Sequence, residues 1–590
     1  MIEIILSDGT SLDLKKDWDF EITIEQPMLE DSRIPVPYST SIAILPTETN
    51  RHALGWVDVF MLPPAVRRLS ATLFVSGVPI MSGVMEYEST DEGYVSYTFA
   101  GKDLEDDFSG YIHELKHLTR ETIDFQWLKM ITEVRNDPSI HDVTASPAYD
   151  FAAPPVICAQ NIGKVEHPND IGIETISPHD RYRNWPFSTS TPFCPAVYVH
   201  AILSEHFKNI EVSDTILRLY NALAIPGLLI KNDAKSPYYL PVENTVTMLD
   251  IASYLPECSV IDLVTGLCKM LCASIYRDGQ GFRLLSNKEV LTSRTPVDWS
   301  GKVSDAFSAT VEAARSYTFG YDNDDDENTF DTTDPAADGS ITSSFDTYAN
   351  LFLSVLNAAD YIAVRHRTTG DIFSGRRMQI TVRIDTGDAA DGGNVYHYAT
   401  VPYLDQLFHG ITPKTANSAI EDNFDATCPF KLVRCLPARI YEPGGDNNLG
   451  VYCMAPVMEM PAVDERPTDL YIGCMIGGQL VDHGIAYTPY PVSGGRPSAA
   501  NLGTEMRPSN PSLDLSPEGL WPLHESFAAW LGKDRQVNTV DLDLSLSEIA
   551  DFRMFRPVII NHRRFLVKTM RFTFSTSSDV VNSQADIIEM

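Results

Sequence analysis

Two histidines and a glutamate form the motif in this chain with the clearest chemical meaning. His113, Glu114 and His117 match the pattern H-E-x-x-H. On one α-helix this spacing would place both imidazoles on one face, where they could bind zinc while Glu114 acts as general base. Glu121 and Glu133 are the candidates for a third ligand. The alternative, which we favour, is a surface helix with two solvated histidines and no metal.

An acidic run later in the chain has some features of a calcium loop. Asp322, Asp324, Asp326 and Asn328 alternate as oxygen ligands of such a loop do. Glu327 stands where the loop needs glycine, and no glutamate follows at the position that would bind calcium with both oxygens. We therefore expect a solvated acidic loop without bound metal.

The cysteines also offer no ligand set. There are nine of them, an odd number, and their wide scatter argues against a disulfide framework and favours assembly in a reducing cytoplasm. Cys268 and Cys272 lie four residues apart on an expected helix, where packing in the core explains them better than metal binding. The later cysteines contain no C-x-x-C pair, so a zinc ribbon is not expected.

Signatures of other enzyme classes are absent from the sequence. It has no G-x-S-x-G, no P-loop and no G-x-G-x-x-G after a strand. Acidic residues number 80, so no carboxylate pair for glycoside hydrolysis can be singled out. The sequence therefore assigns no catalytic, cofactor-binding or metal-binding residue, and it predicts a protein that is not an enzyme.

Length and charge limit the number of domains and the classes of partner that the chain can bind. The 590 residues exceed one core, so roughly three to five domains are expected. The formal net charge of −35 disfavours binding to nucleic acid and to anionic membranes. Such a charge would keep DNA from adhering to the wall of a conduit, and it would equally serve solubility alone. The sequence shows neither a signal peptide nor an apolar run of ~18 residues that could span a membrane.

The elements that must position these residues are mainly short strands. Residues 20–25 alternate apolar and polar side chains, which is typical of a half-buried strand. Residues 71–101 predict a meander with tight turns at 76–77 and 92–93. A helical patch is expected over 103–118, around the two histidines.

Two helix starts are capped in the sequence. Ser259 can cap a helix over 261–271, and a hairpin with its turn at 277–281 should follow. Near the C-terminus, Ser545 and Glu548 fit a capping box, which would begin a short helix.

Three segments carry an ordered pattern of such elements. Segment 519–590 opens with G-L-W-P-L-H, continues through an acidic-faced strand and the capping box, and ends in the basic hairpin R-P-V-I-I-N-H-R-R-F. Segment 195–303 holds the capped helix and hairpin, and the first hundred residues hold Q-P-M-L and P-Y-S-T-S-I-A-I-L-P. In this order and spacing the chain resembles tail proteins of Bacteroidetes phages and prophages. The resemblance covers about half of the chain.

The resemblance implies an α+β, β-rich fold built from several small β-barrel or sandwich domains with short helix-plus-hairpin units. The expected domains are an N-terminal tube-like barrel (1–105), a mixed linker region (106–190), a hub-like α+β domain (191–303), a β-rich insertion with the acidic loop (304–518) and a C-terminal α+β module (519–590).

The function implied by the resemblance is that of a tail-tip or baseplate hub in the virion tail, assembled in the host cytoplasm. Such hubs form homo-oligomeric rings, most often trimers, which join the tail tube to the receptor-binding apparatus. Tube, tape measure and receptor-binding proteins are the expected partners, and DNA passes through transiently. Three alternatives stay open: a receptor- or glycan-binding tail protein using the insertion, a distal tail adaptor ring, and a zinc hydrolase using His113, Glu114 and His117.

Overall fold

The computed structural model describes the chain in segments. The described residues are 2–31, 34–59, 68–101, 108–121, 150–152, 154, 157–158, 194–206, 210–228, 248–278, 281–321, 343–345, 361–366, 372–388, 394–404, 408–409, 414–433, 435–441, 449–458, 466–476, 479–481, 491–493, 513, 519–578 and 580–590. The acidic run at 322–328, Glu133 and most of the expected linker region 106–190 lie outside the described residues.

Most of the regular structure consists of strands. In chain order these are β1 (Ile2–Leu6), β2 (Asp19–Glu25), β3 (Tyr38–Ser39), β4 (Ile42–Ile44), β5 (Arg68–Val75), β6 (Val78–Asp91), β7 (Tyr94–Gly101), β8 (Thr119–Glu121), β9 (Phe151–Ala152), β10 (Ile157–Cys158), β11 (Ala196–Tyr198), β12 (Glu211–Val212), β13 (Leu223–Pro226), β14 (Met248–Asp250), β15 (Ala273–Asp278), β16 (Gly281–Ser286), β17 (Val297–Asp298), β18 (Val303–Glu312), β19 (Ser316–Phe319), β20 (Ser343–Phe345), β21 (Tyr361–His366), β22 (Ile372–Asp388), β23 (Asn394–Leu404), β24 (Phe408–His409), β25 (Lys414–Ala416), β26 (Asn423–Asp425), β27 (Lys431–Leu432), β28 (Cys435–Tyr441), β29 (Leu449–Met458), β30 (Tyr471–Ile476), β31 (Gln479–Val481), β32 (Pro491–Ser493), β33 (Arg535–Leu542), β34 (Val558–Ile560), β35 (Arg563–Ser575) and β36 (Asn582–Glu589).

The helices are few and short. The α-helices are α1 (Glu48–Leu54), α2 (Val199–Leu203), α3 (Asp214–Ala222), α4 (Val260–Met270), α5 (Asn287–Thr292), α6 (Trp521–Leu531) and α7 (Leu546–Ala550). Single 3-10 turns occur at Pro27–Leu29, Ile112–Glu114, Lys116–Leu118 and Ala252–Tyr254. Within the described ranges, no helix is long and apolar enough to cross a membrane.

One large sheet, here called the main sheet, joins the two ends of the chain. Over the described residues it has 13 strands, with the order β1-β5-β6-β7-β3-β2-β35-β36-β33-β18 along its length. Strand β4 lies beside β7, β34 beside β35, and β17 beside β34. The N-terminal and C-terminal strands therefore belong to one hydrogen-bonded structure.

The junction between the two halves is the antiparallel pair β2 and β35. Its register runs from Asp19 opposite Ser575 to Glu25 opposite Thr569. Phe20 and Phe574 face each other across it and are both buried, with ring centroids 5.3 Å apart and planes 20° apart. Such aromatic cross-strand pairs stabilise a sheet beyond the burial of their surface. The sheet cannot be parted here without exposing core side chains.

The predicted β-rich α+β class is confirmed, but the N-terminal strands do not form the expected tube-like barrel. Within the described residues no ladder of strands forms a closed barrel, since the order of the main sheet ends at β1 on one side and β18 on the other. Isolated bridges between Ile5 and Ser11 and between Leu14 and Ile44 link β1 to β4 through residues 11–14, but these are single bridges rather than a ladder. Strand β2 pairs with β3 on one edge and with β35 on the other.

Locally the strands follow the sequence pattern. The alternating residues 20–25 lie in β2, and β5, β6 and β7 form the predicted meander. The turn between β5 and β6 has positive φ at both Ser76 (49°) and Gly77 (79°), as a type I′ hairpin turn requires. The Ser-Gly pair therefore sets the register of this hairpin.

The capped helix of the central segment is also present. Ser259 accepts a hydrogen bond from the Asp262 backbone N–H and begins α4, one residue before the predicted start. The predicted hairpin follows as β15 and β16. Gly266 lets α4 lie directly on Phe430, because a Cβ at this position would meet the phenyl ring at 2.3 Å. The helix thereby connects the hairpin to residues near β27.

The remaining strands form smaller sheets. Their orders are β12-β16-β15; β27-β30-β13-β11-β9 with β31 beside β30; β25-β19-β26; β14-β8; β10-β29-β28 with β32 beside β29; and β20-β21-β22-β23 with β24 beside β22. Strands of the predicted β-rich insertion (304–518) are therefore present, and those between 343 and 493 lie outside the main sheet.

Candidate interaction surface at the end of the main sheet

The H-E-x-x-H residues do not share a helix, so the predicted helix around the two histidines was wrong. His113 lies in the 3-10 turn Ile112–Glu114, and His117 lies in the separate turn Lys116–Leu118. Leu115, between them, has extended backbone angles (φ −72°, ψ 105°) and is buried. The extended backbone at Leu115 ends the first turn, so no continuous helix runs through both histidines. The one-turn spacing that would have aligned the two imidazoles is therefore lost.

Each histidine has its own neighbours. The Nε2 of His117 donates to the Ala201 carbonyl oxygen at 2.9 Å, and its Nδ1 lies 2.9 Å from a Glu205 carboxylate oxygen. The ring of His113 packs against Tyr111, and burial lowers the pKa of His113, with Arg466 nearby acting in the same direction. Both rings are partly buried rather than solvated as predicted.

A wider search for metal ligands gives no stronger site. Within the described part of the chain, no three His, Cys, Asp or Glu side chains lie close enough together to hold a metal ion. Glu121, one candidate third ligand, lies in β8. Cys272 is buried as predicted, and burial raises the pKa of both Cys268 and Cys272 to about 12, so both remain protonated thiols.

No sequence motif pointed to the role of His524. This residue is fully buried in α6, where its Nε2 donates to the Met270 carbonyl at 3.0 Å and its Nδ1 accepts from the Tyr317 hydroxyl at 2.6 Å. Phe319 stacks on the ring at 3.8 Å. Burial lowers the pKa of His524 to about 3, so the ring is neutral at physiological pH. It connects α6, β19 and the end of α4 through a satisfied polar network.

The surface that stands out is strand β18. Residues 304–311 are exposed without interruption, on both faces of the strand. Phe307 is 65% exposed and Val311 75% exposed, which are among the largest values for apolar side chains in the described residues. Scattered single apolar residues are ordinary on protein surfaces, but two on one face of one strand form a patch.

One edge of β18 is also open. The strand pairs with β33 in antiparallel register, from Phe307 opposite Val540 to Glu312 opposite Arg535. Ser304–Ala306 forms an irregularity before this ladder. On the other side of β18, no strand of the described residues is paired. An open strand of this length presents unpaired N–H and C=O groups to any strand that can approach.

An ion pair with a neighbouring element lies at each end of the strand. Lys302 bonds Glu548 at 3.0 Å just before β18, and the Lys302 carbonyl accepts from the Asp543 backbone N–H at 2.8 Å. At the other end, Glu312 pairs with Lys568 of β35 at 2.7 Å. We define the β18 edge as the free edge and both faces of Val303–Glu312. It is an exposed strand with an ion pair at each end.

Comparison with known proteins adds little at this point. No family model matches the chain, and no curated protein matches it. Among solved structures, the 43 kDa tail protein of prophage MuSo2 from Shewanella oneidensis aligns with a TM-score of 0.30 at 7% identity, covering 100% of this chain and 98% of the other. The tail protein from Neisseria meningitidis MC58 aligns with a TM-score of 0.28 at 6% identity, covering 100% and 96%. At these scores neither likeness decides the fold or function.

The geometry of the β18 edge suits recognition rather than chemistry. A strand with a free edge can bind another strand through backbone hydrogen bonds, while its exposed side chains select the partner. No motif in the sequence marked this surface, and the predicted end of the hub-like domain, residue 303, is the first residue of β18. The alternation of Phe307, Ala309 and Val311 was the available signal.

Proposed function

We propose that this chain is a structural component of a phage or prophage tail, and that it acts as a tail-tip or baseplate hub joining the tail tube to the receptor-binding apparatus. The observation that carries the proposal is the composition of the main sheet. The three segments that resemble Bacteroidetes tail proteins, 1–100, 195–303 and 519–590, all contribute strands to it.

These segments are far apart in the chain, yet they are bonded to each other directly. Strand β2 of the first segment pairs with β35 of the third. Strand β17 of the second segment pairs in parallel with β34 of the third, with Val297 opposite Val558. Of the second segment, β17 and the first residue of β18 lie in the main sheet, whereas β11–β16 lie in smaller sheets. The first segment, the third segment and the end of the second therefore share one hydrogen-bonded scaffold. The strands between 345 and 475 form sheets outside it.

A scaffold of this kind fits a mechanical role. Its large sheet gives a rigid body, and the β18 edge offers a contact surface. The net charge of −35 would limit adhesion of DNA passing through a conduit to which the chain contributes. The proposal includes a homo-oligomeric ring, with a trimer favoured, and contacts to tube, tape measure and receptor-binding proteins. It places the protein in the virion tail after assembly in the host cytoplasm, and it assigns no catalytic residue or cofactor.

The location of the protein in particles tests this proposal. We would label purified particles, from the host that encodes the chain, with gold-conjugated antibody and image them by negative-stain electron microscopy. We expect gold at the distal end of the tail. Particles from a strain lacking the gene, restored with a plasmid copy, provide the matched control for antibody specificity.

Two results would overturn the proposal. One is the absence of the protein from purified particles, measured by quantitative mass spectrometry as well as by labelling. The other is gold distributed along the whole tube or on the capsid, which would indicate a different structural part.

A further inference from the structure

We infer that two copies of the free protein pair their β18 edges in an antiparallel arrangement, about a two-fold axis that passes beside Ala309. The inference concerns the protein before it enters any larger assembly, and it does not rest on the proposed tail function. It names a second copy of this chain as the occupant of the β18 edge.

The β18 edge is long, exposed and open. The strand is ten residues long, it is exposed on both faces from 304 to 311, and one of its edges is unpaired over the described residues. Native proteins commonly shorten, cover or charge such edges, since they otherwise associate. Between Asp305 and Glu312 this strand carries no charged residue. The middle of the strand, residues 306–311, therefore lacks the charged side chains that commonly protect an edge.

A second copy is the partner that fits, because the other end of the main sheet is already covered. At the opposite end of the main sheet, the outer edge of β1 is already bonded by the chain that follows it. Leu6 donates to the Thr10 carbonyl at 2.8 Å, and Leu12 donates to the Ile4 carbonyl at 2.9 Å. A head-to-tail contact between β18 and β1 of another copy is therefore blocked. Pairing of β18 with itself uses both open edges and closes after two copies.

The sequence of the strand is self-complementary in an antiparallel pair. With Ala309 opposite its own copy, Phe307 lies opposite Val311 on both sides of the axis. Ser308 then lies opposite Thr310, and apolar residues face apolar residues on one face of the sheet. The small alanine side chain allows the two strands to approach at the axis.

The same register avoids repulsion between charges. Asp305 lies opposite Ala313, and Glu312 lies opposite Ala306. A shift by one residue places Asp305 opposite Glu312 twice and separates the Phe307–Val311 pairs. Because like charges directly opposite each other destabilise a strand pair, the register centred on Ala309 is selected.

Charge substitution at the axis tests both the partner and the register. The mass of the purified full-length protein is measured by light scattering for the wild type, Ala309→Asp, Ala309→Lys and an equal mixture of the two variants. We expect twice 65.6 kDa for the wild type, because two chains pair. Each single variant should lose the dimer, since its new charge faces itself, and mixing should restore it.

Two controls separate this result from general damage. Ala309 is exposed, so in protein dilute enough for the wild type to be monomeric, circular dichroism and the thermal midpoint of both variants should match the wild type. Val580→Asp changes an exposed valine away from β18 and should leave the dimer intact.

Each contrary result overturns the inference. A wild-type monomer would show that the edge stays open, and a wild-type mass of three copies would contradict the two-fold contact while supporting the ring. Dimers that persist in both charged variants would exclude pairing at Ala309. Failure of the mixture to restore the dimer would exclude the register centred there.

Discussion

The two ends of the main sheet are built in opposite ways. At the β1 end, the chain turns back after Leu6 and bonds the outer edge of the strand through Thr10 and Leu12. At the β18 end, a strand twice as long as β1 remains unpaired on its outer side over the described residues. Within the described part of the chain, the fold covers one end of the main sheet and leaves the other open, and the inferred pairing of two copies depends on this open edge.

Side chains reinforce this difference. On β1, Ile2, Ile4 and Leu6 are buried, and Leu12 of the covering segment is buried with them. On β18, the corresponding apolar residues Phe307 and Val311 extend into solvent. The β1 end therefore contributes to the core, whereas the β18 end is held by ion pairs and by its ladder with β33. Substitutions at the two ends should consequently affect different quantities.

The largest effect is expected where the two halves of the sheet join. Phe574→Ala removes a fully buried ring that faces Phe20, and it should lower the free energy of unfolding by about 3–5 kcal/mol. Urea denaturation measures this loss. Hydrogen exchange should show β2 and β36 losing protection together, because one sheet holds both. Loss confined to the C-terminal strands would contradict the shared sheet.

The next effect concerns the covered end. Leu12→Ala leaves a cavity beneath the segment that bonds β1, and we expect a loss of about 2–5 kcal/mol in urea denaturation. Leu217→Ala, at a partly exposed leucine of α3, is the matched control and should cost clearly less. Equal losses for the two variants would mean that the covering segment does not belong to the core.

At the open end we expect a substitution to change self-association rather than stability. In protein dilute enough to be monomeric, Val311→Asp should change the free energy of unfolding by no more than about 0.5 kcal/mol, because Val311 is 75% exposed. It should nevertheless reduce self-association in sedimentation velocity experiments. Val580→Asp, at a valine that is 67% exposed, should change neither quantity. A destabilised Val311→Asp protein would show that this face is not free.

The smallest effect lies at the anchor that precedes β18. Hydrogen bonds from Ser545, helped by Lys302, lower the pKa of Glu548 to about 2 from a usual value of 4.5. The charged form is thus favoured by folding, so its contribution to stability is present above pH 4.5 and is lost as the pH falls toward 2.

Glu548→Gln tests this anchor. It keeps the capping geometry but removes the charge, and it should cost about 0.5 kcal/mol at pH 7, since the ion pair is exposed. The difference between the wild type and the variant, followed by urea denaturation across pH, should disappear near pH 2. A difference that persists there would show that the charge is not responsible.

Local features of this fold could be predicted from the sequence, because short-range chemistry determines them. The Ser76-Gly77 turn, the Ser259 cap and the Ser545–Glu548 capping box are all present where their residues indicated. Each depends on residues within a few positions of one another. The H-E-x-x-H spacing did not produce a helix, because the extended backbone at Leu115 separates His113 and His117 into two 3-10 turns.

Long-range pairing could not be predicted in this way. The alternation in β2 shows which face is buried, but it carries no information on which strand will lie beside it, and its partner β35 is more than five hundred residues away. The openness of β18 depends in turn on what the rest of the chain leaves uncovered. His524 was missed for the same reason, because its partners Tyr317 and Met270 come from distant elements.

The central claim is that the main sheet has a covered edge at β1 and an open edge at β18. Hydrogen–deuterium exchange as a function of protein concentration tests this claim most directly. Half of the β18 amides face β33 and should be protected at every concentration. We predict that the other half, within 304–311, exchange rapidly in dilute protein and gain protection as the concentration rises, whereas β1 exchanges at one rate throughout. Constant exchange across β18, or protection gained at β1 instead, would contradict the account.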